Sequence, residues 1–163
     1  VTRYAVTLPY PVSANRYWRA VSMGPRLAMV PTKEAKAYKA EVAWKAKQAG
    51  LRLPLDGRVT LLVRLYPERP QDWAKRARQQ PDSWDDTVRC IDLGNCEKVL
   101  SDALNGIAWV DDKQLRRIVL ERCEPDEQGA RVEVEIEPVR IAAVAMDLFA
   151  IPGEADAQAG IAR

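Results

Sequence analysis

The chain has 163 residues, 47% of them hydrophobic and 29% charged, with a formal net charge of +2 at pH 7. That is enough for one domain with a proper core and too apolar for a disordered chain, while no run of about 18 apolar residues marks a transmembrane helix. Histidine is absent, which removes His-based triads and His general bases and argues against zinc.

The small net charge hides a segregation. Residues 1–80 carry 16 Lys/Arg against 5 Asp/Glu, and residues 81–163 carry 9 against 18. A basic first half invites a polyanion, and an acidic second half suits a divalent cation; mutual attraction of the halves across one fold explains the pattern equally well. Cys90, Cys96 and Cys123 form no C-x-x-C pair, and unpaired thiols suit a cytoplasmic setting. No signal-peptide pattern is visible, and Val1 in place of Met suggests trimming.

In chain order, residues 2–8 alternate, with Tyr4, Val6 and Leu8 on one face, and predict a strand ended by Pro9 and Pro11. A loop follows in which Asn15, Arg16, Tyr17, Trp18 and Arg19 set two arginines beside two aromatics. That combination suits phosphate contact and base stacking, against packing of Tyr17 and Trp18 on the core. Residues 26–30 predict a short strand. Thr32 then opens a helix that Gly50 closes, with Ala35, Tyr38, Val42, Ala46 and Ala49 facing inward and a lysine-rich exterior.

Arg58–Tyr66 is the next strand. Residues 67–90 are polar and long for a structureless connection, so this stretch should be mobile, functional, or partly helical over 72–79. Its Arg69, Lys75, Arg76, Arg78 and Arg89 could reach a phosphate backbone.

Cys96, Val99, Leu100, Ala103 and Leu104 form one apolar helical face after Asp92, and Asn95, Lys98 and Asp102 share another stripe. Gly106 closes that helix, and the chain returns to the Asp111–Asp112 pair. Carboxylates at two ends of a helix–strand unit, with a lysine between, could hold a hard metal ion such as magnesium. Asp102 either pairs with Lys98 at i, i+4 or supports the site. Gln114–Arg122 is a strand. Val132, Val134 and Ile136 alternate with Glu133, Glu135 and Glu137 in another, which places the three glutamates in solvent. Residues 138–163 read as a tail behind a 1–137 domain.

Three stretches together resemble the RusA family of Holliday-junction resolvases, small phage and prophage endonucleases. Leu8-Pro9-Tyr10-Pro11 with Asn15-Arg16-Tyr17-Trp18-Arg19 is similar to L-P-x-P-P-S-x-N-R-Y-x-R. Asp92-Leu93-Gly94-Asn95, Lys98 and Asp102-Ala103-Leu104 are similar to D-x-D-N-x-x-K-x-x-x-D-A-L. Trp109-Val110-Asp111-Asp112 and Gln114 are similar to x-x-D-D-x-Q. The resemblance implies an α+β single domain, a mixed β-sheet packed by two main helices, that forms a homodimer in a bacterial or phage-infected cell. It implies binding of four-way-junction DNA and symmetric strand cleavage with Mg2+, for which Mn2+ can substitute. Asp92, Lys98 and Asp112 then become the catalytic residues, with Asp92, Asp111 and Asp112 as metal ligands.

Gly94 stands where the family has a second metal-binding aspartate. The substitution is inactivating, or marks a member that binds junctions without cutting them, or is offset by Glu97, Asp102 or Asp111. The alternative function is therefore a catalytically silent junction-binding protein of the same fold. In the tail, Ala145-Met146-Asp147-Leu148-Phe149 resembles the peptide by which bacterial proteins dock on the replication sliding clamp.

Overall fold

The computed structural model describes residues 3–139; the Ala145–Phe149 peptide lies outside them. Four strands, β1 (Tyr4–Pro9), β4 (Val59–Tyr66), β5 (Leu115–Arg122) and β6 (Arg131–Pro138), form a mixed sheet in the order β1-β6-β4-β5. Only β4 and β5 run parallel; the other neighbours are antiparallel. The fold is α+β with a mixed sheet, as expected.

Strand alternation decides what the sheet does. Val59, Leu61, Val63 and Leu65 of β4 share a face with Val132, Val134 and Ile136 of β6 and with Val6 and Leu8 of β1, and all are buried. Two helices cover that face: α2 (Lys33–Gln48) through Ala35, Tyr38, Val42 and Ala46, and α4 (Leu93–Leu104) through Cys96, Val99, Leu100, Ala103 and Leu104. Each fully buried Val or Leu contributes about 1.5–3 kcal/mol, so this layer fixes where α4 lies. Thr32 caps α2 by accepting from the Ala35 N–H, and Gly50 follows its end at φ 96°.

The opposite sheet face is polar but not simply solvated. Glu135 accepts from Arg64 at 2.8 Å and pairs with Arg3, Arg3 also reaches Glu137 at 3.2 Å, and Arg131 holds Glu133 at 2.9 Å. The expectation that these glutamates stand in solvent is corrected: they form the acid half of an ion-pair row that Arg64 of β4, Arg3 ahead of β1 and Arg131 of β6 itself complete.

One stretch differs from the sequence reading. The expected loop at 11–19 contains a short helix, α1 (Ala14–Tyr17), and leads into β2 (Trp18–Met23), which pairs with β3 (Arg26–Pro31) in a separate hairpin. Gly24 at φ 65° followed by Pro25 makes its two-residue turn. The 67–90 stretch is partly helical, as expected over 72–79: it carries α3 (Trp73–Gln79) and a run of turns. These are tied down where Arg122 donates to the Asp85 and Val88 carbonyls, Arg76 donates to Thr87, and the Trp84 indole N–H donates to Glu124 at 2.6 Å.

The β4–α4–β5 crossover gives the sheet two distinct ends. At one lie Tyr10, residues 67–92 and the 123–130 loop; at the other lie Leu55–Gly57 and residues 105–114. No helix of the described residues is long and apolar enough to cross a membrane.

Candidate active site and nucleic-acid interface

α4 carries a carboxylate at each of its ends. Asp92 is its N-cap: one oxygen accepts from the Asn95 backbone N–H at 2.8 Å, and the other accepts from the Asn95 side-chain amide. This satisfies donors at the helix start and draws a negative group to the positive end of the helix dipole. Asp92, Gly94 and Lys98 are all exposed, and Lys98 makes no ion pair with a described residue.

Asp102 does not pair with Lys98. It accepts instead from the hydroxyl of Tyr17, which lies fully buried on α1. Burial, and then that carboxylate, raise the Tyr17 pKa well above the ordinary phenol value. Tyr17 therefore anchors α1 to α4, and its ring is closed to base stacking. Trp18 packs at a tilt, 4.4 Å from Tyr17 between centroids, and stays half-buried.

Near Asp92, burial keeps the proton on two groups. Tyr10 accepts from the Ile91 N–H at 2.8 Å and donates to the Cys90 sulfur, and burial pushes its phenol up to about 12. Burial also pushes the Cys96 thiol up to about 12, so it is a core group and not a nucleophile.

The far end is held more tightly. Asn105 caps α4, and Gly106 at φ 80° turns the chain so that its N–H meets the Trp109 carbonyl at 2.7 Å. Trp109 is fully buried, and its indole N–H donates to Asp112 Oδ1 at 3.0 Å, where the Asn105 side-chain amide also donates at 3.1 Å. Asp111 caps the following 3-10 turn, Asp112–Gln114, in a capping box with Gln114. The Gln114 oxygen accepts the N–H groups of Val110 and Asp111, while its amide nitrogen donates to the carbonyls of Leu55 and Gly57, all at 2.7–3.0 Å. Gln114 belonged to a motif in the sequence but had no role there; the Asp111-x-x-Gln114 capping pattern was its only local signal.

Asp92 and Asp112 are therefore not neighbours. The intervening α4 spans 12 residues, about 18 Å at 1.5 Å per residue, and Asp112 bonds to the residue that caps its far end. Two carboxylates on one hard cation must come within about 5 Å of each other. No group of three or more Asp, Glu or Cys among the described residues could hold a metal ion. Asp92 and the Asp111–Asp112 pair thus lie at opposite ends of α4 within one chain.

The basic residues fall into two groups. Arg69, Lys75, Arg76, Arg78 and Arg89 stand at the Asp92 end of the sheet on α3 and its flanking turns. Arg76 is held by Asp72 at 2.9 Å, Arg78 donates to the Ala74 carbonyl, and Lys75 and Arg89 are exposed without an ion pair to a described residue. On α1 and β2, Asn15 and Arg19 are exposed, and Arg16 pairs with Glu34 at 2.9 Å.

The family model described as endodeoxyribonuclease RusA matches residues 9–137, a span that includes both ends of α4, α3 and the hairpin. Among curated proteins, none matches the chain.

Proposed function

The chain belongs to the RusA family of Holliday-junction-resolving endodeoxyribonucleases, and on that premise we propose that it binds four-way-junction DNA as a homodimer and cuts it slowly with Mg2+ or Mn2+. The observation that carries this reading is the surface of α4: Asp92 and Lys98 stand exposed on its first half, at the sheet end crowned by Lys75, Arg76, Arg78 and Arg89. Cations there suit a phosphate backbone, and binding should fall steeply with salt.

Because one chain holds Asp92 and Asp112 apart, a single ion is shared between such acids only if a second copy supplies one of them. A two-fold pair setting α4 against its mate head to tail would bring Asp92 toward Asp112 of the partner subunit. When bound, the divalent ion supplies polarisation of the phosphate and ionisation of a water. Within this chain, Asn95 orients the Asp92 carboxylate, Lys98 offsets charge that builds on the phosphate, and Trp109 with Asn105 holds Asp112 by Oδ1 and leaves Oδ2 free of both.

Gly94 is the weak point of this set. A Cβ added there would meet Asp92 Oδ1 at 3.6 Å, an ordinary contact, so an aspartate fits without moving the backbone. The missing carboxylate also supports a second reading, a junction-binding protein with no cleavage. One assay on a labelled four-way junction separates the two, combining gel shift and cleavage with and without metal. The parent should bind and nick slowly, and Gly94→Asp should raise cleavage by orders of magnitude. Junction binding with no nicking by either protein would sink the enzymatic reading and leave the silent one, and an unchanged slow rate would show that Gly94 is not what limits cleavage.

A further inference from the structure

Beside the basic helix lies a cleft that the cleavage chemistry leaves unused. It holds about 340 Å³ and is walled by Arg69, Trp73 and Trp84 on one side and by residues 124–128 on the other. A second lobe of about 330 Å³ continues past Arg69 and Trp73 to Glu68 and Gly129. The Arg69 guanidinium carbon sits 4.7 Å from the centre of the Trp73 ring, and Trp73 leans on Trp84 with centroids 6.4 Å apart. Those two rings are too close to admit a third between them, so the usable stacking surface is the Arg69–Trp73 pair.

Most of the acids on the opposite wall are already occupied. Glu124 accepts from the Trp84 indole, and Asp126 is held by two nitrogens of Arg131 at 2.7 and 2.8 Å. Glu127 and Gln128 are exposed, and their side chains make no hydrogen bond to another described residue. Trp73 opens α3, so Lys75, Arg76 and Arg78 follow it on the same short helix.

We infer that this cleft takes one unpaired nucleobase of the bound DNA. The base would stack on the outer face of the Arg69 guanidinium, which Trp73 backs, its amino edge would meet Glu127 and Gln128, and its phosphate would lie along α3. A stacking plane, acceptors for amino groups and cations within one nucleotide's reach are complementary to that ligand class. A purely cationic ligand fits less well, because Arg69 already covers the tryptophan face that it would need. The inference rests on the junction-binding reading for where unpaired bases arise, since the crossover of a four-way junction can expose them.

The test uses the full chain with 2-aminopurine as probe, placed in a short single-stranded oligonucleotide and beside the crossover of a four-way junction. The parent should quench its emission. Trp73→Ala should abolish most of the quench and weaken the single strand about tenfold, Trp73→Phe should restore binding, and Glu127→Gln should narrow the preference for amino-bearing bases over thymine. Trp73 is 39% exposed on a helix that buries nothing, so these variants leave the core intact. Equal quenching by parent and Trp73→Ala, with the junction gel shift preserved, would overturn the inference. So would binding of an arginine-rich peptide that depends on Trp73 while the oligonucleotide does not. A parent that quenches the single strand but fails to shift a junction would uphold the cleft and remove the junction reading.

Discussion

The two ends of α4 solve one problem, holding a carboxylate still, with very different means. Asp112 is held by a buried indole and a helix-capping amide, in a turn that Gln114 ties to the backbone of a loop before β4. Asp92 is fixed by Asn95 alone, three residues away, and shares its turn with a glycine. The first end is built to be rigid before anything binds, which is how charge stabilisation is made cheap at the moment of reaction. The second end is locally held and one carboxylate short, so it can change by point substitution without disturbing the fold. On the proposed function, activity is then lost, or regained, at the Asp92 end.

The largest effect should come from breaking the rigid end. Gln114→Ala strands two backbone N–H groups and two carbonyls, some of which water can reach. We expect a loss of about 1–3 kcal/mol, read from urea unfolding followed by tryptophan fluorescence. Gln114→Glu should not rescue it, because a carboxylate keeps the two accepting bonds but turns an oxygen toward the Leu55 and Gly57 carbonyls. If both variants unfold with the parent, the four bonds do not hold this end.

The Asp92 end has its own lever, pH. Cys96 and Tyr10 have ordinary values of 9.0 and 10.0, and burial pushes both up to about 12 in the folded chain. A raised pKa means that the folded state keeps the proton longer than the unfolded state does. The contribution is complete below about pH 9 and is lost as pH climbs toward 12. Urea midpoints should therefore be flat to about pH 9 and then fall. Tyr10→Phe should flatten part of that fall; a variant with the parent's full alkaline slope would show that Tyr10 does not report on this end.

The difference between the ends also explains what could be read in advance. α2 announced itself by Thr32, its apolar stripe and Gly50, and β6 by strict alternation, because those signals are local. The length of α4 was legible too, and 12 residues of helix already separate Asp92 from Asp112. Gln114 was opaque because two of its partners precede it by 57 and 59 residues. β3 was expected at residues 26–30, but its partner β2 was missed because only Trp18 and Val21 along it are even partly covered, which leaves no strict alternation to read. The Gly24–Pro25 turn was the usable clue. Tyr17 went to the core because its ring and hydroxyl both find partners there, and no spacing reports a buried acceptor 85 residues away.

The smallest expected effect isolates what Gly94 costs the fold from what it costs the chemistry. In the first turn of α4, at an exposed position whose backbone φ is not in the glycine-favouring region, glycine surrenders helix propensity for no conformational return. Gly94→Ala should stabilise the chain by about 0.5 kcal/mol, the lower part of the propensity range because the position lies near a helix end. Gly94→Asp without metal gains a similar dipole contribution, but sets a second carboxylate beside Asp92, so it should end near the alanine variant or below it. Adding Mg2+ should then raise the unfolding midpoint of Gly94→Asp alone, by removing that repulsion. If the ion shifts parent, alanine and aspartate variants equally, the extra carboxylate does not face the ion, and the contrast between the two ends of α4 is structural and carries no catalytic meaning.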